Sequence, residues 1–128
     1  ATGFIYSTAP SPAVVGSAFE AWLQCKKLDH ERNTLQNLGH TLRDHLKNHE
    51  FNYGLSETHI VPIFMDDEET CLRAQAELLK RGILVSAIRP PTVPPGTSRL
   101  RVCLTIQHTP KDINHLMAAL CDMKHIKP

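Results

Sequence analysis

Ala87-Ile88-Arg89-Pro90-Pro91-Thr92-Val93-Pro94-Pro95-Gly96-Thr97-Ser98-Arg99-Leu100-Arg101-Val102 runs a loop stiffened by four prolines straight into a strand that carries two arginines. Side chains of an extended strand alternate between faces, so Arg99 and Arg101 share one face with Cys103 and Thr105. Leu100, Val102, Leu104 and Ile106 take the other face and require a core. Two like charges about 7 Å apart repel each other unless water or an anion sits between them. A rigid loop beside paired guanidiniums suits the capture of a carboxylate in one orientation, because arginine offers a planar fork of donors. An edge strand with a solvated basic face has the same spacing. The prolines weigh against that plainer reading, since they freeze a segment that an ordinary surface connection leaves mobile.

Working outward, Ile83 to Ile88 reads as the strand before the proline loop and Arg99 to Ile106 as the strand after it. His59 to Met65 reads as a further strand, in which Pro62 points to an edge or bulge position. Asp66 or Asp67 caps a helix that runs through Arg81, with Leu72, Ala76 and Leu79 as its apolar face and Gly82 as the residue that ends it. Thr109-Pro110-Lys111-Asp112 sets a hydroxyl cap, a proline at the first helical position and an acid in the first turn. That last helix buries Ile113, Leu116, Met117 and Leu120. Upstream, Ser7-Thr8-Ala9-Pro10-Ser11-Pro12 is a helix-start signature, and a long helical pattern follows over residues 12–49. Val15, Phe19, Trp22 and Cys25 or Lys26 lead into a stripe of Leu28, Leu35, Leu38, Leu42 and Leu46. Charged residues between the leucines, Arg43 among them, form a solvated face. The expectation is an α+β domain over residues 1–128: a long N-terminal helix, then a small three-stranded, largely antiparallel sheet covered by helices. Residues 1–50 supply the linker and long helix, 51–128 the sheet unit.

The 41% apolar content of 128 residues suffices for one modest core, and a net charge of +1 from scattered basic residues speaks against a nucleic-acid or membrane-surface footprint. No apolar run approaches a membrane span, and no signal segment opens the chain. Four cysteines without a Cys-x-x-Cys motif favour reduced thiols in a cytoplasmic protein. His45 and His49 share a helix face, but no cysteine or carboxylate joins them at ligand spacing, so no metal site is expected. A chain opening on Ala1 and passing directly into Phe4-Ile5-Tyr6 reads as a piece of something longer, or as a processed precursor.

The run from Ile88 to Thr105, followed by His108, resembles the C-terminal signature of the α-oxoamine synthases, fold-type-I enzymes that use pyridoxal phosphate (PLP). Ile88-Arg89-Pro90-Pro91-Thr92-Val93-Pro94 is most similar to the biotin-pathway branch of that family. Phe4-Ile5-Tyr6-Ser7-Thr8-Ala9 resembles the segment after the family's cofactor lysine, and Ile60-Val61-Pro62-Ile63 and Leu79-Lys80-Arg81-Gly82-Ile83 match as well. The resemblance implies that Ser7 and Thr8 reach the cofactor phosphate of the neighbouring subunit in a homodimer. Hydroxyls at a helix N-terminus suit a dianion, although plain helix capping would use the same residues. It further implies that Arg101 binds the carboxylate of an amino-acid substrate and that Thr92 contacts substrate. Arg89 and Arg99 are implied on the acyl-thioester side or in loop structure, and His108 is structural.

The implied activity condenses an amino acid with an acyl thioester and releases carbon dioxide; in the biotin branch the pair is alanine and a pimeloyl thioester. Glycine-using members of the family remain open, and so does a stand-alone interaction module that lost the chemistry. In this family the Schiff-base lysine, the aspartate facing the pyridine nitrogen and the histidine stacked on the ring are implied to precede residue 1. None of the seven lysines present stands in such a context. The resemblance therefore implies a small C-terminal domain, inactive alone, whose partner is a larger cofactor domain.

Overall fold

The computed structural model describes Ile5 and residues 8–125. Ser11 accepts a hydrogen bond from the Val14 amide, and Pro12 fills the first helical position, where its missing N–H costs nothing. Helix α1 therefore runs Pro12–Cys25. It stops there: Lys27 N donates to Gln24 O and Leu28 N to Cys25 O, a tightened last turn. A second helix, α2, spans Asp29–Asn48, with Asp29 and Glu31 in its first turn, where the helix dipole favours acids. The long helix expected over residues 12–49 is thus two helices. Apolar spacing continued across the junction while the backbone did not.

The chain divides into two compact units, and the boundary falls within α2, between Glu31 and Arg32. In the first unit α1 buries none of its residues. Val14, Val15, Phe19 and Trp22 are all more than half exposed, with the Phe19 and Trp22 rings 5.8 Å apart and Lys26 Nζ 3.8 Å above the Trp22 ring. Leu38, Leu42 and Leu46 of α2, by contrast, are buried.

The second unit builds that core. Strands β1 (Ile60–Phe64), β2 (Ser86–Ile88) and β3 (Arg99–Cys103) form an antiparallel sheet in the order β1-β3-β2. Pro62 sits on β1, an edge strand, where a missing N–H is tolerated. Helix α3 (Glu68–Lys80) packs on β2, β3 and the C-terminal helix α4 (Pro110–His125). Leu42 and Leu46 of α2, Val61 and Ile63 of β1, Leu78 of α3 and Leu100 of β3 are fully buried in one cluster with Ile113, Leu116, Met117 and Leu120 of α4. Each such aliphatic side chain contributes about 1.5–3 kcal/mol on burial. These facts establish the α+β class.

Several local expectations are corrected. The buried face of α3 is Cys71, Ala74 and Leu78; Leu72 and Leu79 are exposed, because the helix turned one residue from the expected face to meet the sheet. Ile83 to Val85 lie outside β2, and Leu84 is exposed. Strand β3 ends at Cys103, so Leu104 still reaches the core but Ile106 does not. Arg43, read as part of a solvated face, is buried: its guanidinium donates to Thr58 O at 2.6 Å and bonds His40 Nδ1 at 3.1 Å. Gly39 makes room for this, since a Cβ there would lie 3.1 Å from Arg43 Nη1 and 3.2 Å from Thr58 O.

Asp67 and Gly82 agree with the sequence, whereas the Thr109 hydroxyl donates to Asp112 instead of accepting a helix N–H as a hydroxyl cap would. Asp67 accepts from the Thr70 amide at 2.7 Å at the start of α3, and Gly82 follows its end with φ +77°. At α4 the amide and hydroxyl of Thr109 both donate to Asp112 Oδ2, at 2.7 and 2.8 Å. His108 Nδ1 accepts from the Thr105 amide at 2.9 Å, closing the turn that leads into α4.

Candidate functional site

Helices cover one face of the sheet. The opposite face carries Ile60, Pro62 and Phe64 of β1, Arg99, Arg101 and Cys103 of β3, and Ser86 and Ile88 of β2, all half-buried or exposed. The alternation that sends Leu100 and Val102 into the core puts both arginines here.

The two arginines differ. Arg99 is half-buried, with its guanidinium carbon 4.4 Å from the centre of the Phe64 ring, directly across the ladder, and its Nε donates to Thr97 O at 2.9 Å. Arg101 lies between Pro62 and Ser86 in the register. It is exposed and has no hydrogen-bond or ion-pair partner among the described residues. A guanidinium on the middle strand, flanked by a proline ring and a short hydroxyl side chain, keeps its donor fork open for an acid from outside.

Arg89 and Thr92 come together on the proline loop. The Thr92 amide donates to Arg89 O at 3.0 Å, and both residues line a shallow cleft of about 210 Å³ with Ala87, Ile88, Pro90 and Pro91. The Pro90–Pro91 peptide is cis. Both side chains are exposed. The charge of Arg89 reaches Cys71 of α3, where burial pushes the thiol up against the smaller pull of the Ile88 amide and of that charge. Arg89 follows β2 on the proline loop, whereas Arg101 lies on the middle strand β3.

Ser7 lies outside the described residues. Thr8, in the first unit, is exposed, and Ser11 does the capping of α1. The described lysines are all exposed: Lys26 stacks on Trp22, Lys80 pairs with Glu77, and Lys124 donates to His49 O. A lysine that forms a Schiff base near neutral pH needs desolvation or a neighbouring cation. No described lysine is desolvated in this way.

Sequence reasoning missed Phe64 and Gly54. Gly54, at φ +63°, backs the Phe64 ring so closely that a Cβ would lie 3.1 Å from Cε2. Phe64 falls within the strand read over His59 to Met65, where nothing singles it out, and Gly54 falls in no element read from the sequence. A cation on one strand opposite an aromatic on its neighbour becomes a pair only once the register is known.

Residues 1–120 match the family model for aminotransferases of class I and II, and the chain belongs to that family. Within it, similar sequences include 8-amino-7-oxononanoate synthases. That of Alkalilimnicola ehrlichii is 42% identical over 117 residues, 91% of this chain and 30% of its own length. That of Xanthomonas campestris pv. campestris strain B100 is 38% identical over 123 residues, 96% of this chain and 31% of its own. Among solved structures, a serine palmitoyltransferase from S. paucimobilis with PLP and myriocin bound superposes with a TM-score of 0.82 at 26% identity, covering 94% of this chain and 32% of that one. The chain spans about a third of the length of the curated relatives it matches. No helix among the described residues is long and apolar enough to cross a membrane, and no group of three His, Cys, Asp or Glu among them is placed to hold a metal.

Proposed function

We propose that this chain is the C-terminal part of a cytoplasmic, homodimeric, PLP-dependent acyltransferase of biotin biosynthesis. It would condense L-alanine with a pimeloyl thioester, releasing carbon dioxide, together with a larger cofactor domain that this sequence does not include. The observation that supports this most is the open guanidinium of Arg101 on the uncovered sheet face. PLP, when bound, would draw off the electrons of the bond broken at the amino acid's α-carbon.

The residues of this chain bind and orient. Arg101 holds the substrate carboxylate through paired N–H donors, which fixes the rotation of the amino acid about its Cα–C bond. Thr92 and Arg89 form the loop-borne contacts, with Arg89 on the acyl-thioester side. Ser7 and Thr8 donate to the cofactor phosphate bound in the neighbouring subunit. Alone, the 128 residues would be inactive, because none of their seven lysines stands in the context of the family's cofactor lysine.

A two-arm assay tests this reading. The full-length protein should release labelled carbon dioxide from carboxyl-labelled alanine only when a pimeloyl thioester is present. The isolated chain mixed with PLP should develop no saturable visible absorbance. Preference for glycine over alanine, or a saturable band from the isolated chain, would contradict it.

A further inference from the structure

Arg99 stands two residues from Arg101 on the same face and is tied down twice. Its guanidinium carbon lies 4.4 Å from the centre of the Phe64 ring, and its Nε donates to Thr97 O at 2.9 Å. The ring is itself fixed. The Phe64 amide donates to Asn52 O at 2.8 Å, Asn52 Oδ1 accepts from the Gly54 amide at 3.0 Å, and Gly54 packs so near the ring that a Cβ would lie 3.1 Å from Cε2. A guanidinium between an aromatic face and a backbone carbonyl has spent its geometry on the protein. At the other end of the contact, Thr97 closes the last turn of the proline loop, where its amide and hydroxyl both donate to Pro94 O, at 3.2 and 2.7 Å.

We infer that Arg99 is a positioning residue for the Arg101 site. The stack Gly54–Phe64–Arg99 anchors the root of the proline loop through Thr97 O. It also leaves a fixed positive charge about 7 Å from Arg101 on the same face. Arg99 touches no ligand. It sets where the loop ends and is itself engaged, so an acid is met by one guanidinium, that of Arg101. This inference rests on the carboxylate role of Arg101 only in its kinetic consequence; the loop anchoring stands apart from it.

The test uses the full-length protein with Arg99→Gln, Arg99→Lys, Phe64→Leu and Phe64→Tyr, and with Arg101→Ala as reference. Amide exchange at Thr97, read without substrate, should quicken about three- to tenfold in Arg99→Gln, Arg99→Lys and Phe64→Leu, and stay unchanged in Phe64→Tyr, which keeps the aromatic face. The same three variants should raise KM for the amino acid by a similar factor with kcat within about twofold, and Arg99→Gln combined with Phe64→Leu should add little to either alone. Unchanged exchange in Arg99→Gln would overturn the anchoring. A rise in KM as large as that of Arg101→Ala, with Phe64→Leu silent, would overturn it too by making Arg99 a ligand contact. If Arg101→Ala alone leaves KM unmoved, the carboxylate reading fails while the exchange result still decides the stack.

Discussion

Gly39 lies beneath the guanidinium of Arg43: a Cβ at that position would stand 3.1 Å from Nη1 and 3.2 Å from Thr58 O, the carbonyl to which the same guanidinium donates. One missing side chain thus lets a buried charge of α2 tie the helix to the segment before β1. The carbonyl is backbone and has no rotamer to yield. Gly39→Ala should therefore destabilise the fold by about 1–3 kcal/mol despite the better helix propensity of alanine. Urea unfolding checks this, and a stabilised Gly39→Ala variant would show that Arg43 repacks freely.

Ser98 faces inward, 1% exposed, with no partner for its hydroxyl among the described residues, while its carbonyl accepts from the Met65 amide at 2.9 Å. A buried hydroxyl without a partner costs stability, so Ser98→Ala should leave the unfolding free energy unchanged or raise it by about 1 kcal/mol. A loss of that size would mean the hydroxyl is satisfied in solution.

The Thr70 amide bonded to Asp67, and the Thr109 amide and hydroxyl bonded to Asp112, hold both carboxyls below the usual carboxylate range. Both folded values are depressed, so the stability they contribute is fully present above the unfolded carboxylate range and is lost as pH falls through the lower, folded values. Asp67→Asn keeps an amide oxygen for the cap while removing the charge. The variant should show a shallower loss of stability with acid than the parent in urea titrations from neutral pH downward. Parallel curves would remove Asp67 from the acid response.

Thr8 is exposed and Ser11 caps α1. Thr8→Ala combined with Ser7→Ala should speed loss of PLP from the full-length protein on dialysis and leave the far-ultraviolet signature of helix unchanged. Equal retention would reduce the two hydroxyls to surface residues.

How far the sequence carried depended on whether one spacing pattern had a rival. Alternation in Arg99-Leu100-Arg101-Val102 admits one assignment of faces, and β3 follows it. Asp67, Gly82 and Thr109 mark helix ends by their chemistry, and the helices start and stop beside them. Helix α3 carries apolar residues on two adjacent faces, so periodicity could not choose between Cys71-Ala74-Leu78 and Leu72-Ala76-Leu79; the sheet chose. The break at Lys26–Leu28 has no proline or glycine to announce it. In the site, the shared face of Arg99 and Arg101 was legible. The distinction between an engaged Arg99 and an open Arg101 was not, because it depends on Phe64, 35 residues upstream by number and opposite in the register.

The open fork of Arg101 is the claim that the functional account stands on, and the Michaelis constant for the amino acid in Arg101→Ala tests it most directly. Stripping the cation from its carboxylate should weaken use of alanine by about 2–5 kcal/mol in kcat/KM, most of it in KM, with the thioester dependence little changed. An Arg101→Ala enzyme that responds to alanine concentration as the parent does would contradict the account.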